Sequence, residues 1–197
     1  MWLRRLLLLG LLALLGCEEP KLPSPFAASD VSSQYANADF HLQDAAGNPR
    51  SLADYRGKIV ALFFGYTHCP DVCPTTLADL SQVMAKLGKD AEQVQVLFIS
   101  LDPARDTPAM LAEYVPAFHP AFLGLSGTPA EIDRAAHAFG ITWSKQLGNS
   151  GNYTLDHSAG TYLIDPVSHR VLLSPYAQRA ELLAQDIELL LALRKQP

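Results

Sequence analysis

The stretch from Lys58 to Tyr66, KIVALFFGY, constrains this chain more than any other. A near-continuous apolar run of this length fits a strand buried on both faces of a sheet. It leads straight into Thr67-His68-Cys69-Pro70-Asp71-Val72-Cys73-Pro74. Beyond that turn Leu77, Leu80, Val83, Met84 and Leu87 recur at helical spacing until Gly88 stops the pattern. A buried strand, a turn bearing two cysteines and an amphipathic helix therefore follow one another directly.

The rest of the chain continues the alternation. Phe40–Gln43 and Arg50–Leu52 flank Gly47-Asn48 and predict a hairpin. Val94–Leu101 (VQVLFISL) reads as a second buried strand. Thr107-Pro108 opens a helix through Leu111 and Val115, and Thr128-Pro129-Ala130-Glu131 carries a capping box with proline at the first helical position. Thr161–Ile164 and Arg170–Leu173 predict a hairpin around Asp165-Pro166, and a last helix presents Leu182, Leu183, Ile187, Leu190 and Leu191. Strands separated by helices imply a sheet covered on both faces. With the cysteines at a strand-to-helix turn, the expected class is α/β: a thioredoxin-like fold with a central mixed sheet flanked by helices and an N-terminal hairpin.

The N-terminus has a different character. Arg4 and Arg5 precede an apolar run from Leu6 to Leu15 that is shorter than the roughly 20 residues a spanning helix needs. It has the proportions of a signal-peptide core. The run ends in Leu14-Leu15-Gly16-Cys17, which looks like a bacterial lipobox with Cys17 as the lipidated residue; an ordinary signal peptide with a chance cysteine is the alternative. The expected organisation is a leader over residues 1–16, a lipidated, proline- and serine-bearing tether over 17–35, and one domain over 36–197. Loss of Arg4 and Arg5 with the leader takes the formal net charge from −5 to −7. An acidic domain has no electrostatic footprint for a phosphate backbone, so nucleic acid is excluded as an expected partner. The expected location is the bacterial cell envelope, facing the periplasm, with inner or outer membrane left open.

Of three cysteines, Cys17 is assigned to the lipid. Cys69 and Cys73 remain, in an exported chain where disulfides are permitted. They could form a redox pair, a metal pair or a small staple, and a staple closing so short a loop would constrain the unfolded chain little. Residues four apart on a helical turn share a face, and the start of the following helix favours thiolates. Thiolates serve metal binding and disulfide exchange alike, so this segment leaves both open. Structural zinc usually takes four protein ligands and iron–sulfur clusters take more thiolates than are present. Two thiolates with one imidazole suit a single copper ion. Six histidines could supply the imidazole. His68 adjoins Cys69 and is expected to point away from the pair; His41, His119, His137 and His169 have no special setting. His157 lies in a polar stretch, Tyr153-Thr154-Leu155-Asp156-His157-Ser158, expected to be a loop that enters an apolar strand.

Three blocks, FGYTHCPDVCP (Phe64–Pro74), LFISLDPARDTP (Leu97–Pro108) and DHSAGTYLIDP (Asp156–Pro166), resemble in order and separation the SCO/SenC family of copper proteins. The resemblance covers roughly Tyr35 to Leu193. It implies a thioredoxin fold and one copper ion, Cu(I) and/or Cu(II), held by Cys69, Cys73 and His157. It further implies help in assembling the dinuclear copper site of cytochrome c oxidase subunit II, or delivery to another copper acceptor, with periplasmic copper chaperones or thiol reductases as further partners. Asp71 and Asp156 match acidic positions of the motifs but are not expected to be ligands. Asp102, Arg105 and Asp106 match the middle block, where loop ordering is the expected role. Mitochondrial relatives carry a transmembrane helix where this chain looks lipidated. A metallochaperone without substrate turnover is the leading expectation. The runner-up is a thiol–disulfide oxidoreductase that uses Cys69 and Cys73 as its redox pair to reduce the acceptor's cysteines. A peroxidase is disfavoured, because no arginine stands near Cys69 in sequence.

Overall fold

The computed structural model describes residues 24–148 and 152–195. The leader and Cys17 lie outside the described residues. Among those described, no helix is long and apolar enough to cross a membrane.

The core is a parallel pair, β4 (Ile59–Gly65) and β5 (Val94–Ser100), aligned from Ile59 opposite Val94 to Gly65 opposite Ser100. Every residue of both strands is buried, as the apolar runs require of strands covered on both faces. Helix α2 (Val72–Leu87) makes the crossover between them and buries Leu77, Leu80, Val83, Met84 and Leu87; Gly88 ends it at φ 54°, a conformation few other residues accept.

Among the described residues the sheet has eight strands, in the order β1-β10-β9-β4-β5-β6-β2-β3. On one flank lie β6 (Leu123–Ser126), parallel to β5, and the hairpin of β2 (Leu42–Asp44) and β3 (Pro49–Arg50). On the other, β9 (Thr161–Asp165) runs antiparallel to β4, with β10 (Arg170–Ser174) and β1 (Ser29–Asp30) beyond it. Thr107 caps α3 (Pro108–Tyr114), and the Thr128–Glu131 box caps α4 (Pro129–Ala138), both with proline in the first turn as the sequence predicts. Helix α5 (Ala180–Arg194) packs against α2. This mixed sheet flanked by helices is the thioredoxin-like arrangement expected.

Two expectations need correction. Residues 26–35 do not stand off the domain as a tether. Phe26 and Ala28 are buried, the amides of Ala27 and Ala28 each donate to the Asp186 carboxylate at 2.8 Å, β1 extends the sheet, and α1 (Ser32–Tyr35) packs beside β10. The stretch from Tyr153 to Ser158, read as a loop, instead holds a strand, β8 (Tyr153–His157), paired in a separate two-stranded ribbon with β7 (Trp143–Leu147), a segment to which the sequence reading assigned no element. All five residues of β7 are exposed, so the strand carries no apolar alternation for a sequence reading to find.

Candidate metal centre

Topology brings three donors to one end of the sheet. Strand β4 delivers its carboxyl end to the turn that holds Cys69, and α2 begins at Val72, so Cys73 sits in its first turn. Because β9 runs antiparallel to β4, with Thr161 opposite Phe63, the start of β9 lies where β4 ends. The ribbon that ends in His157 enters β9 there. The carboxyl ends of parallel strands are where α/β sheets bind ligands.

The donor atoms of Cys69, Cys73 and His157 all lie within 4.8 Å of one another. Cys73 Sγ stands 3.5 Å from His157 Nε2. The other ring nitrogen, Nδ1, lies 2.9 Å from the Ser158 carbonyl, which can only accept, so Nδ1 carries the proton and Nε2 presents its lone pair to the sulfur. The edges of Phe63 and Tyr66 hold the imidazole, each with its ring centre 6.1 Å away. Both cysteines are free thiols; Cys73 is 0 % exposed and Cys69 partly exposed. Two sulfurs and an imidazole nitrogen this close can share one small soft cation, and among the described residues no fourth side-chain donor completes a structural zinc set.

The helical face inferred for the two cysteines is replaced by a different device. Cys69 precedes the helix, and its Sγ accepts the Cys73 amide at 3.4 Å, while Asp71 at the N-cap position gives no side-chain cap. The cysteine itself thus occupies one of the helix's orphan donors. The expected thiolate character does not hold for Cys73. Burial pushes its thiol well above the ordinary value, with neighbouring Cys69 and Asp106 adding to the effect and a Tyr66 backbone hydrogen bond offsetting only part. A protonated Cys73 donates to His157 Nε2, and a bound cation would take that proton's place.

Gly65, the last residue of β4, makes room for this sulfur. A Cβ there would stand 2.8 Å from Cys73 Sγ and 2.8 Å from Phe98 Cε2. The sequence reading assigned Gly65 no role, although a glycine inside a buried strand signals a close approach.

The loop after β5 ties both halves of the site together. Asp106, 1 % exposed, accepts from the Thr67 amide at 2.9 Å, the Thr67 hydroxyl at 2.6 Å and the Ser100 hydroxyl at 2.6 Å, fixing the start of the cysteine turn. Asp102 accepts from Arg105 Nε and from the Tyr153 hydroxyl at 2.7 Å. Arg105 also donates to the Tyr153 carbonyl at 2.9 Å and lies 3.5 Å from the centre of the Tyr153 ring. Asp102, Arg105 and Asp106 therefore order loops, and Tyr153, which the sequence did not single out, is the point at which the His157 ribbon is held. His157 ends a strand anchored in this way and is not on a loose loop. Asp71 and Asp156 are exposed, and neither belongs to the three-donor cluster. His119 accepts from the nearby Ala121 amide, and the His169 imidazole meets the Ala36 carbonyl, distant in sequence, at 3.0 Å.

Comparison with known proteins agrees with this geometry. The SCO1/SenC family profile matches residues 29–192. Mitochondrial "Protein SCO2 homolog" of Mus musculus is 43 % identical over 131 residues, covering 65 % of this chain and 51 % of the mouse protein. The chain thus spans about half the length of the curated relatives it matches. Bradyrhizobium japonicum ScoI, solved with copper bound, is 41 % identical, superposes with a TM-score of 0.70 and covers 77 % of this chain and 96 % of its own. Yeast Sco1, also solved with copper bound, is 32 % identical with a TM-score of 0.70, covering 81 % of this chain and 89 % of its own. All three motif blocks fall within the matched region, and the chain belongs to the SCO1/SenC family.

Proposed function

We propose that this chain is a copper metallochaperone that binds one ion through Cys69, Cys73 and His157 and hands it to an acceptor, the dinuclear copper site of cytochrome c oxidase subunit II. The observation that carries this reading is the convergence of the three donor atoms within 4.8 Å. Two thiolates hold Cu(I), and the imidazole adds the harder donor that Cu(II) requires. Copper is cargo here: bonds to sulfur and nitrogen form as thiol protons leave, and break again when the acceptor's ligands take the ion. The copper-bound relatives from Bradyrhizobium and yeast support the choice of metal. In this reading Cys17 carries a lipid and anchors the domain to the bacterial envelope, facing the periplasm.

Free Cys69 and Cys73, one partly exposed and one buried, also suit a thiol reductase acting on the acceptor's cysteines. A His157→Ala strain grown at limiting copper separates the two readings. Delivery requires the imidazole, so oxidase assembly should fall although both thiols remain. Full oxidase activity in that strain would overturn delivery and favour the reductase.

A further inference from the structure

Tyr66 touches all three proposed copper donors, and its hydroxyl has no part in the function described so far. The residue follows directly on β4 and is 1 % exposed. Its carbonyl accepts from the Cys69 amide at 3.2 Å, and its own amide donates to the Cys73 sulfur. Its ring meets the His157 imidazole edge-on, with 6.1 Å between centres and 83° between planes. The phenol oxygen completes the set: it is hydrogen-bonded to the Cys69 side chain and to the Leu155 amide.

The register of the ribbon explains why that amide is available. Ser158 donates to the Thr142 carbonyl and Gly148 to the Asn152 carbonyl, so even-numbered positions along β8 exchange the ladder bonds with β7. Leu155, opposite Lys145, belongs to a non-bonded pair, and its amide points away from β7. The Tyr153 carbonyl points the same way and accepts from Arg105. An amide can only donate, so the phenol oxygen accepts from Leu155 and its own proton is left for Cys69. A sulfur bound to copper has lost its proton and can only accept.

We propose that Tyr66 is a positioning residue for copper, whose hydroxyl donates a hydrogen bond to Cys69 Sγ in the loaded site and biases that site towards Cu(I). The inference rests on the proposed copper function. The phenol keeps its proton and makes no bond to the ion. Its hydrogen bond draws electron density from the ligating sulfur, and electron-poor Cu(II) loses more by this than Cu(I). The same hydroxyl ties the turn that carries Cys69 to the ribbon that carries His157.

The test is Tyr66→Phe in the folded domain, which keeps the ring edge against His157 and both backbone bonds and removes only the hydroxyl. Affinities are measured against bicinchoninate for copper(I) and nitrilotriacetate for copper(II). The ratio of Cu(I) to Cu(II) affinity should fall about ten-fold, and the thiolate-to-copper(II) band should move to lower energy. In the copper-free protein the Leu155 amide, deprived of its acceptor, should exchange faster. A purely structural Tyr66 predicts the opposite sign, because a loosened His157 weakens copper(II) first and the ratio would rise. A raised or unchanged ratio, an unmoved band, or wild-type exchange at Leu155 would each overturn the proposal while leaving copper binding intact. A wild-type domain that took up no copper would instead sink the copper function, and this inference with it.

Discussion

Gly65→Ala tests how closely the backbone is fitted to Cys73. The added methyl would lie 2.8 Å from Cys73 Sγ, 2.8 Å from Phe98 Cε2 and 3.1 Å from Phe63 Cε1. Unstrained contacts fall near 3.5–4.0 Å, so the overlap is roughly 0.7–1.2 Å on two sides at once. Neither neighbour has room to retreat, since Cys73 and Phe98 are both 0 % exposed. Overpacking of this kind costs about 1–3 kcal/mol, which lowers the melting temperature of a domain this size by about 3–10 °C. The sulfur should be displaced as well, so copper(II) charge transfer should weaken or shift. Adding Phe98→Leu opens one side of the clash only. Denaturation of the four proteins in the double-mutant cycle should then show coupling of at least about 0.5 kcal/mol, with stability partly recovered and the charge-transfer band still altered. A Gly65→Ala protein with wild-type melting and a wild-type band would refute the fit.

Two further perturbations probe the supports of the site and of the sheet. Tyr153→Phe removes the hydroxyl that donates to buried Asp102 at 2.7 Å; it should cost about 1–3 kcal/mol and speed amide exchange over residues 153–157, whereas unchanged exchange would show that Tyr153 does not hold the ribbon. At the far end of β9, burial works to raise the Asp165 carboxyl, but hydrogen bonds from Arg194, the Val167 amide and Ser168 outweigh it and hold it below its ordinary 3.8. A depressed carboxyl stabilises the fold above its unfolded value and loses that contribution as pH falls through the folded one. Wild-type unfolding free energy should therefore drop, as pH falls below about 4, by more than that of Asp165→Asn, and parallel pH profiles would contradict the assignment.

The sheet was legible where burial writes a pattern. KIVALFFGY and VQVLFISL became β4 and β5, and the Thr107 and Thr128 caps sit where their side chains can take the first free amides. The β7–β8 ribbon was not legible, because Trp143–Leu147 buries neither face and has no period to detect. The N-terminal segment misled for a related reason. Its prolines and serines read as a tether, yet Phe26 is buried and Asp186, 158 residues from Ala28, pins the backbone. Cys69, Cys73 and His157 were named from local chemistry and motif resemblance. Their meeting depends on β9 pairing antiparallel with β4, a contact no local window contains. The raised thiol of Cys73 lay beyond sequence reasoning too, since a position in a helix's first turn predicts the opposite shift and only its burial reverses the sign.

The most direct test is copper binding by the folded domain with its thiols reduced. Titration followed by metal analysis should give about one copper per chain, and copper(II) should show a thiolate-to-copper charge-transfer band. Cys69→Ser and Cys73→Ser should each abolish the band, and His157→Ala should weaken copper(II) far more than copper(I). A protein that takes up no copper, or a His157→Ala variant that binds copper(II) as the wild type does, would contradict the account.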